Sequence, residues 1–275
     1  MKGVRRGIGM ACVGLGILAG SASGQWEVVD QRWCDDDWNG RDDRARSCVV
    51  YEGEFDDPRA LSVDGRMNGG VSVEGWDRDY VSVRAKVWTY ARSEARAEAI
   101  LDEVRLSMDD GELDARGPEP ANRESWGVSW EVRVPLATDL DIETMNGGID
   151  ITDVDGRIDF RALNGGVGLT RVAGDVQGRT TNGGVRVVLD GRRWDGRGLD
   201  VETTNGGVTL VVPDGYSAEL ETGTVNGGFD LDFPVTVQGR IGRRLETTLG
   251  EGGPRVRAVT TNGGVKLQRG RSAVR

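Results

Sequence analysis

The sequence predicts a mostly β protein, a β-solenoid-like stack of short strands carrying a small N-terminal α+β cap. Three observations predict it. Asn-Gly-Gly occurs seven times, at Asn68, Asn146, Asn164, Asn182, Asn205, Asn226 and Asn262. Three residues after each Asn stands an apolar residue (Val71, Ile149, Val167, Val185, Val208, Phe229, Val265), and five residues after stands another (Val73, Ile151, Leu169, Val187, Leu210, Leu231, Leu267). The asparagines at 146, 164 and 182 are 18 residues apart, and the gap from Asn226 to Asn262 is 36, as though one unit had lost its triplet. Alternating apolar residues bounded by turn residues read as strands, and self-similarity at a fixed period reads as a repeat architecture.

Taken in order, residues 1–24 read as a secretory signal. Lys2, Arg5 and Arg6 precede an apolar run from Gly7 to Gly20, and Ala22-Ser23-Gly24 offers a small-residue cleavage site. That run is 14 residues, short of the roughly 20 that span a bilayer as a helix. The expected location is therefore exported: periplasmic, cell-surface or extracellular, with no transmembrane span in the mature chain.

Residues 25–57 form a Trp- and Asp-rich segment. Cys34 and Cys48 are the only cysteines left after signal removal, and an even count in an exported chain predicts a disulfide. Residues 58–136 read as an α+β cap that includes the first repeat unit. Val81, Val83, Ala85 and Val87 alternate with polar residues, the period of a half-buried strand. Ser93 then offers an N-cap to a short amphipathic helix through Ala97, Ile100, Leu101 and Val104. Asp110-Gly111 is a hairpin signal, and Trp126 to Val134 alternates again.

Residues 137–270 read as the repeat domain. Each unit is a strand, a corner at Asn-Gly-Gly, a second strand and often a second turn such as Asp153-Val154-Asp155-Gly156. Residues around Arg192–Gly196 read as a loop bulging from one rung. Two architectures satisfy the pattern. Asn-Gly between alternating apolar residues suits a tight hairpin, because both central residues tolerate positive φ, and a meander would follow. The near-constant period favours a solenoid whose asparagines stack in a column.

These residues resemble the bacterial putative-adhesin family of β-strand-repeat proteins, a domain of unassigned function. The resemblance rests on the Asn-Gly-Gly repeats with flanking Thr, as in Thr180-Thr181-Asn182. It also rests on the strand ending at Val134-Pro135, on Gly75-Trp76-Asp77 followed by Val81-Ser82-Val83 and the helix, and on the closing unit at Val265-Lys266-Leu267. It covers roughly residues 50–268. It implies an exported β-repeat protein of the cell envelope and brings no catalytic residue with it.

The chain carries 35 basic and 45 acidic residues, for a net charge of −10, and no His. Such a balance argues against nucleic acid as a partner, which needs clustered cations. The missing His excludes His-dependent triads and His-metal sites. Asp35-x-Asp37-x-Asn39-Gly40 matches the first half of a calcium loop. Its twelfth position is Arg46 where a bidentate Glu belongs, so a solvated acidic loop is the reading preferred over a metal site. Carboxylates such as Asp150, Asp159 and Asp230 could serve a polysaccharide-cleaving enzyme. However, the residues four after each Asn are Ser72, Asp150, Gly168, Arg186, Thr209, Asp230 and Lys266, a mixture that describes a solvated face. Trp88 and Tyr90 fall on the polar face of their strand and are the ligand-stacking candidates. The asparagines are read as structural turn residues.

The expectation is thus a non-catalytic surface-binding or scaffold module, without cofactor, whose partner is a polymer, a surface or an envelope protein. A carboxylate enzyme and an envelope-stress component binding a membrane partner are the alternatives.

Overall fold

A computed structural model of the protein describes residues 26–29, 32–35, 44–56, 58–232 and 243–270. The signal-like segment lies outside the described residues, as do Asp37 and Asn39 of the half calcium loop.

The strands form two sheets, one of eleven and one of ten strands. Each coil lays one strand in the ten-stranded sheet, turns at Asn-Gly-Gly and lays the next in the eleven-stranded sheet. Asp139–Asn146 is followed by Ile149–Thr152, Asp155–Asn164 by Val167–Thr170, and Ala173–Asn182 by Val185–Val188. Neighbouring coils pair in parallel, with Asn164 opposite both Asn146 and Asn182. Parallel pairing excludes the hairpin meander and gives the solenoid. Rungs in such a ladder lie about 4.8 Å apart.

The period-2 alternation explains the interior. Ile149, Val167, Val185, Val208 and Val265 form one buried column, and Ile158, Val176, Leu199, Val256 and Leu220 form another on the facing sheet. Burying each such side chain contributes about 1.5–3 kcal/mol. The columns also compensate for one another. Gly178 has no side chain, and the ring of buried Phe160 fills the place a Cβ there would take, its carbons 2.5 Å from that point.

Two findings revise the expected layout. The 36-residue gap is not a lost unit. The coil Arg255–Asn262 with Val265–Gly270 comes last in sequence, yet it sits between the coils of Asn205 and Asn226 in both sheets. The chain skips a rung after Pro213, lays Ala218–Asn226 and Phe229–Leu231 one place further out, and returns to fill the slot. Arg244–Leu249 pairs antiparallel outside Ala218–Asn226 and closes that edge of the ten-stranded sheet. Position in sequence therefore does not give position in the stack.

The second revision concerns the glycines. None in the seven triplets has φ in the left-handed region. The reason for the first glycine is close stacking: a Cβ at Gly165 would stand 1.9 Å from the carbonyl oxygen of Gly147, and one at Gly183 2.1 Å from that of Gly165. At the second glycine the approach is looser, 3.5 Å for Gly166. Positive φ appears instead at the second corner, in Asp153 (58°) and Arg171 (52°). There Arg171 grips Asp153 one rung below through two bonds of 2.7 and 2.5 Å.

The Asn68 unit is the first rung. Val71–Trp76 pairs in parallel with Ile149–Thr152 on one side and with Ser125–Pro135 on the other. Everything between Trp76 and Ser125 is an excursion that caps this end. Tyr80–Ala91 pairs antiparallel with Ala45–Asp56 and Ser125–Pro135. The helix Glu94–Glu103 follows, capped by Ser93, whose Oγ accepts from the Arg96 N–H. Asp110 (φ 48°) and Gly111 (φ 79°) turn the hairpin Arg105–Asp109 into Glu112–Arg116, as a type I′ turn requires. Trp130 lies buried in the main core, while Trp126 packs on Ala91, Ala97 and Ile100.

Candidate functional site

The triplets build a continuous polar column. Asn164 Nδ2 donates to Asn146 Oδ1 at 2.9 Å, Asn182 to Asn164 at 2.8 Å, and Asn205 to Asn182 at 2.9 Å. Asn262 donates to Asn205 at 2.8 Å and Asn226 to Asn262 at 2.7 Å. Every donation points the same way, toward the capped end, where Asn146 meets Asn68 at 3.5 Å and Asn68 reaches the Trp126 carbonyl at 3.4 Å. A second ladder runs beside it. Thr144, Thr180, Thr203, Thr260 and Thr224 each donate a hydroxyl to the first-glycine carbonyl of the neighbouring coil. Asn ladders of this kind satisfy amide groups along a stack of strands.

Outside this seam the ten-stranded sheet presents charged columns whose members pair within and across rungs. Arg161 binds Glu143 and Arg257 reaches Asp200 at 2.5 Å, each on the neighbouring rung, while Arg157 binds Asp159 of its own strand at 2.9 Å. An open depression of about 320 Å³ lies over Asp159, Arg161, Gln177, Arg179, Asp200 and Glu202. Beside it, Met67, Met145 and Leu163 make an exposed apolar row on three successive rungs, at 60, 43 and 42% exposure. At the far end, Arg244 and Arg255 both grip the nearly buried Glu221, with Arg257 at 3.5 Å. Burial pushes the Glu221 carboxyl up, but the hydrogen bond and charge of Arg255 and the charge of Arg244 outweigh it and hold it below the usual range.

Two other carboxyls move in the opposite sense. Burial raises Asp150, which lies against Gly168 on the eleven-stranded sheet. Asp155, at the second corner, is raised by burial and then by the charge of Asp195. Raised carboxyls are candidates for general acids. Asp150 and Asp155 sit on different parts of the coil, one on a sheet face and one at a corner, so they do not form one acid–base pair.

Trp88 and Tyr90 lie on the outer face of the cap, half-buried, with ring centroids 5.5 Å apart and edge-to-face. Trp88 lies over Gly127, where a Cβ would come within 2.5 Å of the indole. Arg44 sits 4.9 Å from the Tyr90 ring centroid. The disulfide Cys34–Cys48 is formed, and Cys48 stands opposite Trp88 in the ladder. It anchors the short helix Arg32–Asp35, whose Trp33 ring lies 4.9 Å from the Lys86 ammonium and 5.5 Å from the Arg84 guanidinium. The cap's outer face is thus partly covered by the chain's own N-terminal segment. Asp35 is described, but its proposed calcium-loop partners are not; among the described residues no group of three or more acidic, Cys or His residues converges as a metal site.

Sequence reasoning missed the Glu221 cluster, because the fold brings Arg244 and Arg255 to it from 23 and 34 residues away. It also passed over Trp194, which is buried and donates its indole N–H to the Gly174 carbonyl at 3.0 Å. The Met67–Met145–Leu163 row was readable as the residue before each Asn.

A model of the family described as Toastrack DUF4097 matches residues 65–268. No curated protein matches the sequence. Among solved structures, the chain is similar to a putative cell adhesion protein from Clostridium sporogenes at 9% identity and TM-score 0.38, covering 82% of this chain and 100% of that one. It is similar to a putative adhesin from Parabacteroides merdae at 11% identity and TM-score 0.32, covering 83% and 97%. A putative lipid binding protein from Parabacteroides distasonis is similar at 10% identity and TM-score 0.28, covering 83% and 97%.

Proposed function

Given that the chain belongs to the Toastrack DUF4097 family, we propose that it is a non-catalytic binding or scaffold module of the cell envelope. Its long sheet face would be offered to an extended polymer or a surface. The observation that carries this reading is the fate of the outward carboxylates. Glu143, Asp159, Asp200 and Glu221 are engaged by arginines of the same or adjacent strands, which builds a regular, charge-paired surface instead of a cleft with a poised acid and base. The disulfide supports an oxidising compartment, in keeping with export to the periplasm, surface or exterior. Among the described residues no helix is long and apolar enough to cross a membrane.

The test is the purified protein on an array of envelope and extracellular glycans, with a parallel assay for new reducing ends. Binding without depolymerisation is the expected outcome. Release of reducing ends that is lost in Asp155→Asn or Asp150→Asn would replace this reading with the polysaccharide enzyme.

A further inference from the structure

At the capped end the ten-stranded sheet finishes on the strand Arg105–Asp109, which among the described residues pairs only with Glu112–Arg116. The helix Glu94–Glu103 packs on Ala45–Asp56 and Tyr80–Ala91 and does not lie along this edge. The longer undescribed stretches join the fold elsewhere. Residues 36–43 link the disulfide helix to Ala45–Asp56, and residues 271–275 follow Val265–Gly270, both in the other sheet. Residues 233–242 lead to Arg244–Leu249, the opposite edge of this sheet. Residues 1–24 are the signal-like segment, and the inference below rests on their removal during export.

The hairpin fixes which groups face outward. Asp110-Gly111 is a two-residue turn, so Asp109 and Glu112 close it as a hydrogen-bonded pair. Antiparallel ladders alternate such pairs with non-bonded ones. Arg105, Ser107 and Asp109 therefore turn their backbone groups to Arg116, Asp114 and Glu112, while Leu106 and Met108 turn theirs away from the sheet. The side chains of Leu106 and Met108 belong to the core face, yet they are half-buried where their neighbours Leu113 and Ala115 are buried. On the outer face Arg105 and Asp109 are exposed at the two ends of the strand.

This edge is complementary to itself. About a two-fold axis through Ser107, an antiparallel copy sets Leu106 opposite Met108 and Arg105 opposite Asp109, each pair occurring twice. Leu106 and Met108 are the residues whose backbone groups face out, so this register forms N–H···O bonds in both directions at both apolar pairs. Sliding the copy by two residues keeps the bonding groups in phase but separates Arg105 from Asp109. Opposite charges facing across strands stabilise a pair, and like charges oppose it. An edge built to repel its own copies carries charges of one sign or a proline; Arg105-Leu106-Ser107-Met108-Asp109 has neither. We infer that Arg105–Asp109 is a dimerisation edge, where a second copy of this chain adds antiparallel about Ser107 and joins two ten-stranded sheets into one. The contact is isologous, uses the edge of both copies and so stops at two. It covers Leu106 and Met108 with the partner's Met108 and Leu106. The two stacks then extend in opposite directions from the joined caps, so the dimer does not depend on the proposed polymer-binding face.

The test uses the exported protein, its N-terminus read by mass spectrometry, in sedimentation equilibrium over a concentration series reaching millimolar. One short strand pair lies at the small, transient end of interfaces, so the expected result is a reversible monomer–dimer equilibrium. Amide protection at Leu106 and Met108 should rise with concentration. Asp109→Arg sets arginine against arginine at both ends of the pair and should weaken dimerisation at least about tenfold. Arg105→Asp combined with Asp109→Arg restores opposite charges and should recover most of the loss. Both positions are exposed, and thermal melts check that each variant is folded. A monomer at every concentration, a dimer indifferent to Asp109→Arg, or a double variant no better than the single would each overturn the proposal. So would retention of residues 1–24, or concentration-dependent protection confined to other strands. The glycan array bears on none of these outcomes.

Discussion

The side-chain amide of Asn182 donates to Asn164 Oδ1 across 2.8 Å, and Asn164 in turn donates to Asn146 at 2.9 Å. Asn164 therefore needs a donor on one side and an acceptor on the other. Replacing it with Ala removes both bonds and should cost about 1–2 kcal/mol, from a net of about 1 kcal/mol per hydrogen bond. Asn164→Asp should cost more at pH 7, because its carboxylate sets acceptor against the Asn146 acceptor. As the pH falls through the carboxylate range, protonation restores a donor, and the Asp variant should recover toward wild type while the Ala variant does not. Denaturant melts at pH 7 and pH 3.5 would check this; parallel behaviour of the two variants would contradict a directional ladder.

The two glycines of each triplet should differ. A Cβ at Gly165 would overlap the Gly147 carbonyl oxygen at 1.9 Å, with backbone on both sides of the contact. Gly165→Ala should therefore destabilise by at least about 3 kcal/mol, at or above the usual range for overpacking, and Gly165→Val by more. Gly166→Ala meets its neighbour at 3.5 Å and should stay within about 1 kcal/mol of wild type. Asp150→Ala, on the solvated face, should change stability by no more than about 0.5 kcal/mol. Thermal melts that ranked Gly166→Ala with Gly165→Ala would mean that turn conformation, not stacking distance, demands the glycines.

What the sequence disclosed, and what it withheld, divides along a physical line. The strands, corners, helix cap and I′ hairpin are local: each is written in residues a few positions apart, and period-2 alternation sorts them into inside and outside. The solenoid was also legible, since equal spacing forces equal coils. Stacking order was not. Nothing local in Arg255–Gly270 distinguishes a coil that follows Asn226 from one that slips beneath it, because every coil offers the same bonds on both edges. The Asn-Gly-Gly triplet was assigned its place correctly and the wrong cause, since a glycine demanded by a neighbouring chain looks the same in sequence as one demanded by φ. For the outer face, columns could be listed but pairing could not, and Glu221 takes its meaning from arginines brought by other coils.

Beyond the first rung, where Arg66 stands two before Asn68, the threonine ladder has one gap. Ala162 holds the place two before Asn164 where Thr144, Thr180, Thr203, Thr260 and Thr224 stand in the five other later coils, and the Gly147 carbonyl lacks the hydroxyl its counterparts receive. Ala162→Thr should supply it and stabilise by about 0.5–1.5 kcal/mol. Ala162→Val has similar bulk without the hydroxyl and serves as the control. If the two variants melt together, the gain comes from packing, not from the bond.

Acid sensitivity should be traceable to Glu221. Its folded pKa is held below the ordinary value, and so is that of nearly buried Asp114, where burial is outweighed by Arg66 and Arg116. A depressed folded pKa gives stability that is fully present above the unfolded value and is lost as pH falls through the folded one. Asp150 and Asp155, both raised, act oppositely in sign, but both side chains are exposed, so solvent screening keeps their share small. Glu221→Gln should thus unfold more easily at pH 7, by about 1–3 kcal/mol, the cost of leaving buried polar partners unsatisfied. The difference from wild type should shrink as pH drops below the usual glutamate range, because wild type is then losing the same charge. Urea titrations at pH 7, 5 and 3 would measure it, and a gap that stayed constant across the three would assign the loss to packing around Arg255 instead of to its ion pair.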